Sequence, residues 1–313
     1  MNQDRLKLFI ILAQGLGLLV TLICSFLGGI YIFNGQWLFA FPVSLLFVVA
    51  VYYLVIYFCK EKENRKKRGY PPTFYYLFGV YSIISLILSV FVLHFYNVEV
   101  NEKASVQEIG LKKVAGLKLL YSEYENNYTN FLTTAEILIN NLVEQYKDNV
   151  ADRTNIEASL AARPLNIDHD NLASIIANTN PALAIKNQLA QRKLGFLQFK
   201  NQILGSNTET FIENQSSIIT NWDRFKLVKS MVDLNERLTE DYEKLNGNLV
   251  DKINNTYAIT GFNPAVYKDE SLINEPLALA AKHLGPMSLV VLLFFQFLIL
   301  LPYFLTKGRI YGR

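Results

Sequence analysis

Cysteine and histidine are scarce in this chain of 313 residues, which has two of the first and three of the second. Cys24 and Cys59 both fall in apolar runs, so residues 98–283 hold no cysteine. Disulfide staples are thereby excluded from that stretch, which must hold together by packing; its 186 residues suffice for a core. Three histidines leave little material for zinc binding or acid–base chemistry. Phosphate-loop, HExxH and GxSxG signatures are absent, as is any Cys/His ligand spacing. Asp168-His169-Asp170 is the one cluster of metal-capable side chains, and it reads as a polar turn before a helix, with Asp170 as the N-cap of a helix from Leu172. The expectation is a protein that is not an enzyme, with no metal and no cofactor.

Charge is missing from four stretches: 8–33, 37–59, 73–95 and 287–305 contain no Asp, Glu, Lys or Arg. A coupled transporter or proton channel would place ionisable groups there, so their absence argues against either. The shortest run has 19 residues, and at about 1.5 Å per residue each can cross the roughly 30 Å of hydrocarbon in a bilayer. The first run is about twice as long as a signal-peptide core and is expected to remain as an anchor. Candidate packing positions within the runs are the small residues Ala13, Gly15 and Gly17 and the polar Gln14 and Gln296. His94, at the edge of the third run, reads as an interfacial residue without a function. Tyr31, Phe33 and Trp37 at one end of the first hairpin, and Tyr52, Tyr53 and Tyr57 at the other, read as interfacial belts.

Basic charge is concentrated instead. Lys60 to Arg68, KEKENRKKR, holds six basic and two acidic residues between the second and third runs, with Lys60, Lys62, Arg65, Lys66, Lys67 and Arg68 as candidate docking or topology residues. The tail after the fourth run adds Lys307, Arg309 and Arg313 and no acid, and the start of the chain carries Arg5 and Lys7. Short basic segments stay in the cytoplasm, so three of them place both termini inside and the intervening polar domain outside. That domain is acidic, with 19 Lys plus Arg against 24 Asp plus Glu in 98–283, while the rest of the chain holds 11 against 3. Nucleic acid is therefore not an expected partner, whereas membrane lipid is.

Strand-like alternation is nearly absent, and two stripes at helical spacing dominate the polar stretch. One runs through Val106, Ile109, Leu117, Leu120, Tyr124, Tyr128, Phe131, Leu138, Leu142 and Tyr146, with a break expected near Gly110 and Gly116. The other runs through Ile218, Trp222, Phe225, Val228, Met231, Leu234, Leu238, Tyr242, Leu245, Leu249 and Ile253. Shorter helices are expected at 170–178 and 182–204, and a loop at 261–276. The fold class is an all-α membrane protein with four transmembrane helices and a large helical extracytoplasmic domain between the third and fourth. Its parts are a tail and transmembrane hairpin (1–59), a basic cytoplasmic loop (60–72), a third span (73–97), the helical domain (98–284), a fourth span (285–305) and a basic tail (306–313). Asn-X-Ser/Thr triplets at Asn127, Asn214 and Asn254 are read as chance in an Asn-rich chain.

The span count and the large second outer loop resemble the tetraspanins, but that family's paired disulfides have no counterpart in 98–283. The whole-chain layout is similar to that of the TssN family, inner-membrane proteins of the type VI secretion system of Bacteroidota. The shared features are a hairpin at 6–59, a third span from 73, an Asn- and Tyr-rich helical periplasmic region, and a closing span before TKGRIYGR. The resemblance implies a bacterial inner-membrane subunit of a contractile secretion machine, present in several copies and associated with other envelope subunits and a cytoplasmic component. A sensory or regulatory accessory protein, passing a periplasmic signal to a transporter or kinase, is the alternative. Cytoplasmic parts this short cannot fold an output domain of their own.

Overall fold

In a computed structural model of the chain, residues 3–68, 71–205, 208–267, 272–283 and 285–305 are described, and among them there is no strand. The helices are α1 (Gln3–Ile32), α2 (Trp37–Arg68), α3 (Pro72–Tyr96), α4 (Lys103–Asp148), α5 (Arg153–Ala161), α6 (His169–Ala177), α7 (Pro181–Leu204), α8 (Thr208–Thr220), α9 (Arg224–Lys252), α10 (Pro276–His283) and α11 (Pro286–Leu305). A π-helical turn, Asn97–Glu102, joins α3 to α4 without interruption. Four helices are long and apolar enough to cross a membrane.

Two compact units are present. The first comprises the described residues within 1–109, 218–231 and 270–313, and the second those within 110–217 and 232–269, so divisions fall inside α4, α8 and α9.

In the first unit α1 turns into α2 over Asn34-Gly35-Gln36. Gly35 has φ +82°, and its N–H donates to the carbonyl of Ile30 at 2.8 Å, closing the end of α1. A Cβ at this position would stand 2.6 Å from the carbonyl oxygen of Phe225, so the turn requires glycine for space as well as for conformation. The buried face of α1 reads Ile10, Gln14, Gly17, Thr21, Ser25 and Gly28, while Leu8, Leu12, Leu16, Leu19 and Ile23 are exposed. Apart from Ile10 and, at the end of the helix, Ile30 and Tyr31, small and polar residues thus face the bundle and large aliphatic ones face out. Thr21 and Ser25 satisfy their hydroxyls on the carbonyls of Gly17 and Leu22, at 2.8 and 3.2 Å. An aqueous globule sorts its helices the other way, because burial of large apolar side chains drives its packing.

Glycine decides how closely these helices approach. A Cβ on Gly28 would fall 2.0 Å from the carbonyl oxygen of Phe91 in α3, and one on Gly29 would meet Ala40 of α2 at 3.2 Å. Lower in the bundle Gly17 faces Leu298 of α11. Val48, Val51, Val55 and Phe58 of α2, Phe74, Tyr81 and Leu88 of α3, and Ile299 of α11 form the common core.

In the second unit α4 is unbroken at Gly110 and Gly116, contrary to the expected break. The ring of Tyr267 occupies the place where a Cβ on Gly116 would lie, so that glycine makes room for an aromatic ring rather than ending a helix. The first stripe holds from Val106 to Phe131 apart from half-buried Ile109, after which burial moves to Ala135, Ile139 and Val143 and leaves Leu138 45 % exposed. An α-helix advances 3.6 residues per turn, so the buried face drifts away from positions chosen by side-chain size alone. The second stripe is two helices, broken at Asn221-Trp222-Asp223 where Trp222 has φ +53°, and Phe225 is 47 % exposed. Within the second unit, Tyr121 and Arg237 both donate to buried Asp241 at 2.6 Å, tying α4 to α9. The short helices end much as expected, but Asp168 rather than Asp170 caps α6: its carboxylate accepts from the N–H of Asn171 at 2.8 Å, the third residue of the helix, which Asp170 stands too late to do. Asn180 caps α7 in the same way, ahead of Pro181.

Candidate functional site

Two polar clusters of the first unit form around the π turn. A π turn inserts one extra residue into the helical register, and it gives Glu99 and Glu102 separate sets of partners. Glu99 accepts from the hydroxyl of Tyr31 at 2.5 Å and from the indole N–H of Trp222 at 3.0 Å. Arg224 completes the cluster, its Nε and Nη2 donating to the two carboxylate oxygens. Burial alone would raise the pKa of Glu99, but the hydrogen bonds from Arg224, Tyr31 and Trp222 outweigh it and hold the carboxyl below its ordinary range. The same pair keeps the Arg224 guanidinium firmly charged. Trp222 holds the left-handed backbone conformation, uncommon for a bulky residue, and its indole bond to Glu99 is one of the contacts that fix it there.

Glu102, one turn on, is paired with Lys282 at 2.6 Å and with Nε2 of His283, both at the end of α10. Desolvation opposes its ionisation, and the hydrogen bonds from Lys282 and His283 outweigh that and lower its pKa. Four separate segments, α1, the π turn, the α8–α9 junction and α10, therefore meet through two carboxylates. His94 is buried, at 1 % exposure. Its Nε2 stands 2.7 Å from the carbonyl of Ile273, which can only accept, so the proton sits on Nε2. Tyr31, too, is fully buried and bonded to Glu99, while Trp37 and Tyr53 are exposed.

At the opposite end of the bundle, the basic stretch expected as a loop from 60 to 72 continues α2 as helix to Arg68. Nothing in KEKENRKKR breaks a helix, and α3 starts at Pro72 with Pro71 as its N-cap. Lys60 is exposed. Lys62 donates to the carbonyl of Tyr303 and lies 4.9 Å above its ring, so a cation meets the C-terminal turn of α11, where the helix dipole favours positive charge. Arg65, Lys66, Lys67 and Arg68 ride on α2 with side chains outside the described part, and Lys307, Arg309 and Arg313 lie outside the described residues.

Of the candidate packing residues, Gly17 and Gln14 are buried, and Gln296 accepts from the Tyr81 hydroxyl at 3.1 Å. Ala13 is half-buried, and Gly15 is exposed with nothing within 4 Å of where its Cβ would be. Sequence reasoning missed Gly28-Gly29, although adjacent glycines inside an apolar run were a signal for it.

The chain matches no known protein family, no curated protein and no solved structure. Its site is thus defined by its own geometry. No group of three or more His, Cys, Asp or Glu able to hold a metal occurs among the described residues. What the clusters do is fix elements in place: Glu99 joins α1 and the α8–α9 junction to the π turn, and Glu102 joins α10 to it.

The depressed pKa values carry a sign. A carboxylate with a lowered folded-state pKa stabilises the fold above its ordinary value of about 4.3, and that stabilisation is lost as pH falls through the folded value. Melting of the purified protein in detergent should therefore drop on acidification below about pH 4.5. Glu99→Gln should lower stability by about 2 kcal/mol at neutral pH and weaken the acid dependence. A variant as acid-sensitive as the parent would remove Glu99 from that account.

Proposed function

We propose that this chain is a structural subunit of a bacterial inner-membrane assembly, with four spans as anchor, the basic end of the bundle in the cytoplasm and the acidic helical unit in the periplasm. The inverted sorting of α1, small and polar inside with large aliphatic side chains outside, carries the membrane part of this reading: such a surface is stable in lipid and not in water. The meeting of Lys62 with Tyr303 supports a common compartment for the basic stretch and the C-terminal tail. The resemblance in layout to the TssN family extends the proposal to the membrane complex of a contractile type VI secretion system. In it the helical unit docks envelope partners, further copies of the chain assemble beside it, and the Lys60–Arg68 helix faces a cytoplasmic component.

Reporter fusions test the topology. A cytoplasmic reporter near position 64 and a periplasmic one near 190 should both be active, and activity of one reporter type at both sites would overturn it. Charge reversal of Lys66, Lys67 and Arg68 with the topology intact should reduce recovery of sheath or baseplate proteins by about tenfold in pull-downs. Unchanged recovery would leave the stretch as a topology signal alone.

A further inference from the structure

The second unit contains a cleft of about 450 Å³ between α4, α7 and α9, with Asn166 at its edge. That volume lies in the range of small-molecule sites; Phe131 and Phe196 belong to the buried core and form the cleft wall, and none of the lining residues takes part in the polar clusters described above. Phe131, Phe196 and Phe199 line its apolar part. Phe196 is stacked on Tyr128 with parallel rings 5.4 Å apart, and Phe131 meets Tyr257 edge-on, so these rings are held in place.

The polar part is made of donors. Asn248 spends its carbonyl oxygen on the Tyr124 hydroxyl at 2.9 Å, which leaves its amide N–H groups to donate. Arg192 is half-buried, and one Nη donates to the carbonyl of Asn166 at 3.0 Å. No carboxylate lies within salt-bridge distance of Arg192 among the described residues, and burial lowers its pKa. Lys252 lines the mouth and is exposed, with Asp251 3.2 Å from its Nζ. The lining includes no Asp or Glu. A guanidinium half out of water without a counter-charge, beside amide donors and fixed aromatic rings, is complementary to an anion that carries an apolar body.

We propose that this cleft is a binding site for a small organic anion, a carboxylate or phosphate attached to an aromatic or aliphatic group, with Arg192 on the anion and the Phe131–Phe196–Phe199 wall on the apolar part. The proposal concerns the helical unit alone and stands independently of the assembly role. A subunit with such a site would respond to a solute on its own side of the membrane.

Fluorescence anisotropy of 1-naphthyl phosphate with the full chain in detergent tests this. Saturable sub-millimolar binding is expected, with 1-naphthol and inorganic phosphate each at least about tenfold weaker, since each supplies half of the recognition; tenfold corresponds to about 1.4 kcal/mol. Arg192→Gln should weaken binding by about tenfold or more. Lys252→Gln, an exposed change that leaves folding intact, should weaken it a few-fold. Competition by 1-naphthoate separates a site for carboxylates from one for phosphates. Equal signals from the parent and Arg192→Gln in the same detergent would mark partition into micelles, and that result, or 1-naphthol binding as tightly as the phosphate, overturns the proposal.

Discussion

Gly28→Val is expected to destabilise the bundle of the first unit by at least about 3 kcal/mol. Its Cβ would lie 2.0 Å from the carbonyl oxygen of Phe91 and 2.9 Å from the carbonyl carbon. Both are backbone atoms of α3, and neither can rotate aside as a side-chain tip does. The helices must separate, and separation costs the neighbouring contacts as well, among them the edge-to-face rings of Phe33 and Phe91 at 6.0 Å. In lipid no hydrophobic force compensates, because the tails are as apolar as the side chains; close packing is what holds spans together. Gly15→Val is the matched control. Nothing stands within 4 Å of its Cβ position, so a shift within about 0.5 kcal/mol is expected. Thermal melting of both variants in the same detergent checks the pair, and similar midpoints would refute the α1–α3 contact.

Leu238→Asp should unfold the second unit. Leu238 is 1 % exposed, on the face of α9 that also buries Leu234, Leu245 and Leu249. Loss of a buried leucine costs about 3–5 kcal/mol, and an aspartate in its place must be desolvated without a partner. The sum is comparable with the roughly 5–15 kcal/mol that holds a domain folded. The triple change at Leu234, Leu238 and Leu245 leaves still less. Leu138→Asp, on the exposed side of α4, should cost under about 0.5 kcal/mol, although apolar spacing alone puts both leucines in the core. Limited proteolysis separates them: rapid cleavage within 110–269 for Leu238→Asp, and parent-like resistance for Leu138→Asp. Resistance in both would place the core elsewhere.

These two contrasts mark where residue patterns stop being informative. Leu138 and Leu238 are equally apolar at equivalent spacing, and only the neighbours each helix acquires separate them. Gly15 and Gly28 likewise both sit in the first apolar run, and their roles diverge because α3 passes over one and nothing passes over the other. The Glu99 cluster was legible only in part. A charged stretch directly after an apolar run is visible in the sequence, but Tyr31, Trp222 and Arg224 come from positions 68 to 125 residues away. His94 shows the same limit, since a position at the edge of an apolar run does not reveal that the chain near Ile273 folds over it.

Local chemistry was enough to specify the helical class, four apolar helices, the turn at Asn34-Gly35-Gln36, the Pro-led starts of α3 and α7, and the acidic character of 98–283. Each depends on residues within a few turns of one another, through periodicity, fixed dihedrals or missing charge. Tertiary structure decided which glycine a neighbouring backbone needs, which carboxylates become buried pairs, and that Arg192 has rings and amides around it but no acid. Those outcomes depend on which distant segments share a place, and a one-dimensional pattern carries no term for that.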